Sequence, residues 1–293
     1  MRLTTRLLEL IKRPEILVMP AVYDAMSARL VQEAGFPAVQ CSGLSVSAAQ
    51  GVPDMSILSM REMVEFTRSI VSSVNLPVMG DADNGYGNAI NVWYTMREFE
   101  AAGAAGANLE DQIFPKRCGR LAGKELVSQH EMMLKIESAR DALRDDDFVI
   151  NARTDALTIE GIDAAIARGN AYLKAGASMI FVQGVSTKEQ IETLTSEIHG
   201  PVGINLVEND PRCEELTFSE LQRLGVARVS LSASVMLAAM HGIRQALQQI
   251  IRWDGTRCDD EVFAPFDDLH RLAGLENAKR VEREYVNRVG DDV

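Results

Sequence analysis

The sequence is poor in the groups that most often build redox or zinc chemistry. Its 293 residues include four cysteines and four histidines, and neither set clusters. Cys41, Cys118, Cys213 and Cys258 stand far apart with no C-x-x-C pair, so a zinc site, a dithiol motif or a disulfide scaffold has no framework. Reduced thiols are expected. His130, His199, His241 and His270 are equally scattered, which turns any metal or proton-transfer chemistry toward carboxylates. Positive charge is also short: 30 Lys+Arg face 42 Asp+Glu, a formal charge of −12. That balance is the reverse of the basic footprint that displaces counterions from nucleic acid, so no nucleic-acid partner is expected. The longest apolar runs, such as Ala233 to Met240, stop far short of the roughly 20 residues that span a bilayer, and no membrane partner is expected. The first twenty residues superficially resemble a signal peptide, but Glu9, Lys12 and Arg13 interrupt any apolar core. Leu3, Leu7, Leu8 and Ile11 fall on one helical face. The expectation is a cytoplasmic protein that opens on a short amphipathic helix.

Hydrophobic residues make up 46% and charged residues 25%, an ordinary globular balance that excludes global disorder. One short grammar recurs along the chain: helical periodicity, a small residue plus glycine, then an apolar run. It occurs at Ala34-Gly35 before Ala38 to Cys41, and at Ala102-Gly103 before Ala107 to Leu109. It returns at Ala175-Gly176 before Met179 to Val182, and at Leu224-Gly225 before Ala227 to Leu231. Glycine supplies the left-handed helix cap, and a short loop then feeds a buried parallel strand. Further strands are expected at Ile16 to Met19, Pro77 to Gly80, Phe148 to Ala152 and Pro201 to Leu206, making eight. Met132, Ile136, Ala139 and Leu143 lie on one face of an intervening helix. Eight strands alternating with helices over about 250 residues predict an α/β fold of the (β/α)8, TIM-barrel type. A doubly wound open sheet is the alternative, without a G-x-G-x-x-G motif to support it. No linker or composition shift marks a second domain, so residues 1–293 read as one barrel domain, with 256–293 a charged C-terminal helical extension.

In such a barrel the C-terminal strand ends carry the site. Strand three ends in Gly80-Asp81-Ala82-Asp83-Asn84-Gly85-Tyr86-Gly87 and strand four in Asn108-Leu109-Glu110-Asp111-Gln112. Four carboxylates thus come from adjacent strand ends, in a stretch with no Lys or Arg from residue 69 to 96. Crowded like charges need a cation or protons to compensate them, and an all-oxygen set suits Mg²⁺ or Mn²⁺. The alternative is that these acids cap the next helix.

After strand four a long loop carries Pro115-Lys116-Arg117-Cys118-Gly119-Arg120. Its cations would depress the pKa of Cys118 or set it as a proton donor beside an anion; a basic surface turn with an incidental thiol is the plainer reading. Gly119 and Gly123, and the length from about Ile113 to Val127, predict a lid that closes on an anionic ligand. Strand five ends Asn151-Ala152-Arg153-Thr154-Asp155, where Arg153 could fork onto a substrate carboxylate or pair with Asp155. Gln183 ends strand six, and Asn205 and Glu208 end strand seven. After strand two, the Ser42 hydroxyl and the free backbone N–H groups of Ser42-Gly43 could hold a carboxylate.

Together these segments, with Tyr23-Asp24-Ala25-Met26-Ser27-Ala28, Cys41-Ser42-Gly43 and Gly51-Val52-Pro53-Asp54, resemble the isocitrate lyase/phosphoenolpyruvate mutase superfamily over roughly residues 14 to 285. Lys116-Arg117-Cys118-Gly119 is the most specific, since it looks like the lyase branch, represented by 2-methylisocitrate and 2,3-dimethylmalate lyases. The resemblance implies a Mg²⁺-dependent barrel acting on a small carboxylic acid, usually a homotetramer whose last helix is swapped between subunits. It implies Asp81, Asp83 and Glu110 at the metal and Cys118, Lys116 and Asp54 in catalysis. Ser42, Gly43, Leu44, Gly119, Arg153, Gln183, Asn205, Leu206 and Val207 would contact substrate.

Three positions depart from methylisocitrate lyases: Arg120 stands for a histidine, Gln183 for a glutamate and Val235 for an arginine. One cation fewer favours a smaller 2-hydroxy diacid of the 2-alkylmalate type over a tricarboxylate. The expected reaction is cleavage of a 2-hydroxy acid to pyruvate and a second carboxylic acid, with Cys118 as proton donor and a carboxylate or metal-bound hydroxide as base. Oxaloacetate decarboxylation is the alternative, followed by phosphonopyruvate rearrangement or hydrolysis, and last a catalytically silent barrel that binds a keto acid.

Overall fold

All eight expected strands form. The computed structural model describes residues 1–206, 216–253 and 262–286. Its strands are β1 (Leu17–Val22), β2 (Val39–Cys41), β3 (Val78–Asp81), β4 (Gly106–Glu110), β5 (Val149–Thr154), β6 (Met179–Val182), β7 (Val202–Leu206) and β8 (Arg228–Leu231). They pair in parallel in chain order and close, β8 returning to β1 in the register Leu17↔Arg228 to Pro20↔Leu231. This is the (β/α)8 barrel, and the open doubly wound sheet is excluded.

The helices are α1 (Leu3–Lys12), α2 (Ala25–Glu33), α3 (Gly43–Ala49), α4 (Met60–Ser73), α5 (Ala89–Ala101), α6 (Gln129–Ala142), α7 (Ile162–Lys174), α8 (Lys188–Glu197), α9 (Phe218–Arg223), α10 (Ser234–Trp253), α11 (Phe266–Ala273) and α12 (Leu275–Val281). Local sequence starts and stops them. Asp24, Ser59, Thr187 and Thr217 accept from the backbone N–H three residues on, and Ser27, Glu62, Gln190 and Glu220 reach back in capping boxes. The recurring glycines Gly35, Gly103, Gly176 and Gly225 take φ between 82° and 110° after α2, α5, α7 and α9, the left-handed turn their repeat predicted.

Side chains two apart on a strand face the same way, so each strand sends alternate residues to the barrel axis. The lower end of the axis is dry. Leu7 and Ile11 of α1 pack there against Leu17, Met19, Met79 and Met179, all at most 1% exposed. Higher up the lining turns polar: Asn108 and Asn151, paired in register on β4 and β5, join through an amide hydrogen bond of 2.6 Å.

The chain divides into two compact units, Met1–Met236 and Leu237–Val293. The first holds the barrel. The second holds most of α10 with α11 and α12, and none of these three helices has a buried residue. Among the described residues, no helix is long and apolar enough to cross a membrane.

Candidate active site

The strand-end acids and the 113–127 loop meet above the polar lining. A cavity of about 50 Å³ is walled by Ser42, Leu44, Asp54, Asp81, Lys116, Cys118, Gly119, Arg153, Gln183 and Asn205, all singled out in the sequence. Asp83 and Glu110 sit directly behind, each held by a cation. The Lys116 ammonium donates to Asp54 at 2.5 Å and lies 2.8 Å from Asp83 Oδ1. Arg153 lies 2.9 Å from Glu110 and 2.9 Å from Asp155, so the ion pair with its neighbour forms and a second acid joins it.

Electrostatics follow from burial. Asp83 is pushed up to about 6 and Glu110 to about 8, first by loss of water, with Lys116 and Arg153 pulling the other way. The same acids hold Lys116 well above the usual lysine range despite its burial. For Cys118 the expected depression by cations is corrected: burial raises the thiol and outweighs the pull of Arg153 and Lys116. Of the two roles left open, thiolate or proton donor, the protonated form suits the donor.

The loop is folded over the cavity. Cys118 N–H donates to the Asp54 carbonyl at 2.9 Å, Lys116 N–H to Ser56 Oγ at 2.9 Å, and Gln112 brackets Arg117 through both amide atoms. Gly119 is required by space: a Cβ there would stand 2.5 Å from Arg153 Nη2 and 2.6 Å from Gln183 Cδ. On the loop's outer side a larger cavity of about 580 Å³ shares Gly119, Arg120, Gln183 and Asn205 as its wall.

Some expectations shift. The Gly43 N–H is not free for a ligand, because it donates to Asp81 Oδ2 at 2.9 Å; the start of α3 already receives a carboxylate. Arg117 is exposed, and the loop cation that turns inward beside Lys116 is Lys124, whose ammonium binds the Gly119 carbonyl at 2.7 Å and Asp155 at 2.6 Å. Leu206 ends β7 half-buried, outside the inner cavity's wall. Val207 and Glu208 lie outside the described residues. The sequence reading passed over Gln40, Asn108, Phe181, Ser230 and Ser232, which also line the inner cavity. Gln40, Asn108 and Phe181 lie two residues before Ser42, Glu110 and Gln183, so strand alternation applied one step lower would have found them.

Residues 7–251 match the family described as phosphoenolpyruvate phosphomutase. The chain belongs to that family. The 2,3-dimethylmalate lyase of Eubacterium barkeri is 39% identical over 97% of this chain and 99% of its own. The 2-methylisocitrate lyase of Aeropyrum pernix is 36% identical over 97% and 91%. Among solved structures, an oxaloacetate acetylhydrolase bound to 3,3-difluorooxalacetate superposes with a TM-score of 0.90 at 32% identity, covering 96% of each chain. A phosphonopyruvate hydrolase complexed with oxalate and Mg²⁺ superposes at 0.87 with 33% identity, covering 98% of this chain and 100% of its own.

The donor set suits the divalent ion seen in that phosphonopyruvate hydrolase. Every candidate ligand is a carboxylate oxygen, and Glu110 Oε1 is buried with no hydrogen-bond partner. Among the described residues no group of three His, Cys, Asp or Glu side chains is placed to hold a metal ion by itself. Mg²⁺ habitually takes one or two carboxylates and keeps its remaining positions for water and substrate oxygens, so an open family site of this kind fits it.

Proposed function

We propose that this chain cleaves the C2–C3 bond of a 2-hydroxy dicarboxylate of the 2-alkylmalate type, giving pyruvate and a second carboxylic acid. That it is a carbon–carbon lyase follows from its kinship with named lyases at 39% and 36% identity across the chain; the acid it cleaves is the proposal. The observation that carries it is Cys118, a thiol kept protonated by burial and facing the same small cavity as Arg153, Ser42 and Asp81.

Asp81 and Asp83, with Glu110 behind them, would hold Mg²⁺. Bound there, the ion would supply Lewis acidity to the 2-oxygen and neutralise the adjacent carboxylate. The rest falls to side chains. A carboxylate of the cluster takes the proton of the 2-hydroxyl, C2–C3 breaks, and its electron pair moves to C3 and into that fragment's own carboxylate. Arg153 and Lys116 offset the charge that builds there. The Cys118 thiol then gives its proton to C3, and the proton held by the carboxylate restores the thiol by exchange. The loop keeps water from quenching the carbanion. The missing cation at Val235 favours a dicarboxylate over a tricarboxylate.

The test is release of the 2-oxo acid in Mg²⁺: pyruvate from 2,3-dimethylmalate, other 2-methylmalates and methylisocitrate, and glyoxylate from isocitrate. Pyruvate from a 2-methylmalate supports the reading, and no 2-oxo acid from any of these substrates removes it. Oxaloacetate decarboxylation is the second reading, favoured by the fold shared with a protein that binds an oxaloacetate analogue. A Cys118→Ser variant separates them, since decarboxylation has no obligatory thiol. For assembly we propose the homotetramer: Leu237, Met240, Leu247 and Ile250 form an exposed apolar stripe on α10, and light scattering after size exclusion measures the mass.

A further inference from the structure

Beneath the acid cluster, Arg228 of β8 is fully buried on the barrel axis. Among the described residues no carboxylate lies within ion-pair distance of it, and its Nη1 has no hydrogen-bond partner. Its remaining contacts are weak or neutral: Met19 Sδ at 3.2 Å, the Phe181 ring with its centroid at 5.9 Å, and the amide oxygen of Gln40. An unpaired buried cation opposes folding, and the charge of Asp81, beyond ion-pair reach, is what favours its protonated form. Burial lowers Arg228 to about 10, which leaves it charged at neutral pH.

Gln40 connects this charge to the cavity. A guanidinium has donors only, so Gln40 must turn its Oε1 to Arg228. The hydroxyl of Ser230 donates to the same oxygen at 3.1 Å. With the oxygen fixed from two sides, the amide nitrogen is left for the other direction. Gln40 is 5% exposed and lines the inner cavity, and none of its described partners is an acceptor for that nitrogen.

We infer that Gln40 is a substrate-binding, specificity-determining residue. Its amide N–H group donates to an oxygen of the acid at the floor of the cavity, and Arg228 is the positioning residue that fixes this polarity and adds positive potential below. The inference rests on the reading of the cavity as an acid-substrate site. The floor then selects an acceptor-only group, a carboxylate or keto oxygen, over an alkyl group, which would leave the amide unpaired.

The test uses the full chain with Mg²⁺ and two readouts: oxalate affinity by calorimetry, and KM against kcat for pyruvate release from 2,3-dimethylmalate. Gln40→Glu is isosteric and still accepts from Arg228, but it faces the cavity with an anionic acceptor. It should weaken oxalate binding and raise KM by at least about tenfold, with a smaller change in kcat and no fall in Tm. Arg228→Met should raise KM by unfixing the amide, and Arg228→Lys, also donor-only, should recover part of that loss. Should Arg228→Met fail to fold, Ser230→Ala removes the other donor and should shift KM the same way by less. Oxalate affinity unchanged in Gln40→Glu overturns the inference. Oxalate binding without turnover of any acid overturns the lyase reading alone, since Gln40 is still judged by affinity. An unaltered protein that binds no oxalate overturns both.

Discussion

Lys124 and Asp155 form a buried ion pair, Nζ to Oδ1 at 2.6 Å, and the second oxygen of the same carboxylate takes Arg153 Nε at 2.9 Å. One anion therefore ties the loop to the arginine that faces the cavity. The position of the loop and the orientation of Arg153 are linked, because neither cation can leave Asp155 without changing the field on the other.

Replacing Lys124 should separate the two. Lys124→Met is expected to raise KM for the acid substrate by about tenfold, through a bound state that is less populated, and to change kcat less. Limited proteolysis after Arg117 and Arg120 should quicken in the variant, and oxalate with Mg²⁺ should slow it in the unaltered protein. Equal cleavage rates in both proteins would dissociate the loop from Asp155.

Cys118→Ser keeps the shape and weakens the acid. Carbon–carbon cleavage should fall about 10²- to 10⁴-fold, the usual contribution of a positioned proton donor, while oxalate binding stays. The pH profile carries the sign. Burial raises the thiol above its ordinary value of 9.0, so the donor form persists through neutral pH and kcat/KM declines only as pH rises beyond that value. An alkaline limb falling below pH 8 would point to a different acid.

Glu110 gives a prediction for stability. Its carboxyl is raised from 4.5 to about 8 in the fold, so between those values the folded chain binds more protons than the unfolded one. The contribution is present in full below about pH 4.5 and is lost as pH rises through 8. With a chelator present, Tm should fall from pH 6 to pH 9, and Glu110→Gln should flatten that slope. A slope identical in the variant would assign the titration to another group.

Asp111 stands behind the site and touches no part of the cavity. It accepts from the Thr154 hydroxyl at 2.7 Å, the Tyr172 hydroxyl at 2.8 Å and the Asp155 N–H at 3.0 Å, with Arg168 Nη1 at 3.5 Å. Asp111→Ala leaves three buried donors without their acceptor, while Arg168 keeps Glu160 at 2.9 Å. A loss of about 3–5 kcal/mol in urea unfolding is expected from the unsatisfied donors, with activity falling too because Asp155 loses its anchor.

The barrel was legible in the sequence because its signals are local. A glycine after each of four helices and an apolar run behind it need no knowledge of the rest of the chain. The same holds for Asp81, Asp83, Glu110 and Arg153, which are carried to the site by the strand ends themselves. What the sequence hid depends on reach across the fold. Lys116 finds Asp54, 62 positions away, only because the loop folds inward, and the choice of Lys124 over Arg117 is set by which side of that loop faces Asp155. The rise in the Cys118 pKa was missed for the same reason: neighbouring cations are visible in sequence, whereas burial is not. Arg228 lay in a strand read as apolar, where one charged residue looks like an interruption.

The apolar plug that Leu7, Ile11, Met19, Met79 and Met179 form below the polar lining has a consequence for traffic. A well sealed at its base has one mouth, so substrate enters and both products leave by the path that the loop covers. The fragment seated against the floor is trapped until the one above it has gone. Release is then ordered by depth alone, and the deeper product should inhibit competitively against substrate while the shallower one does not.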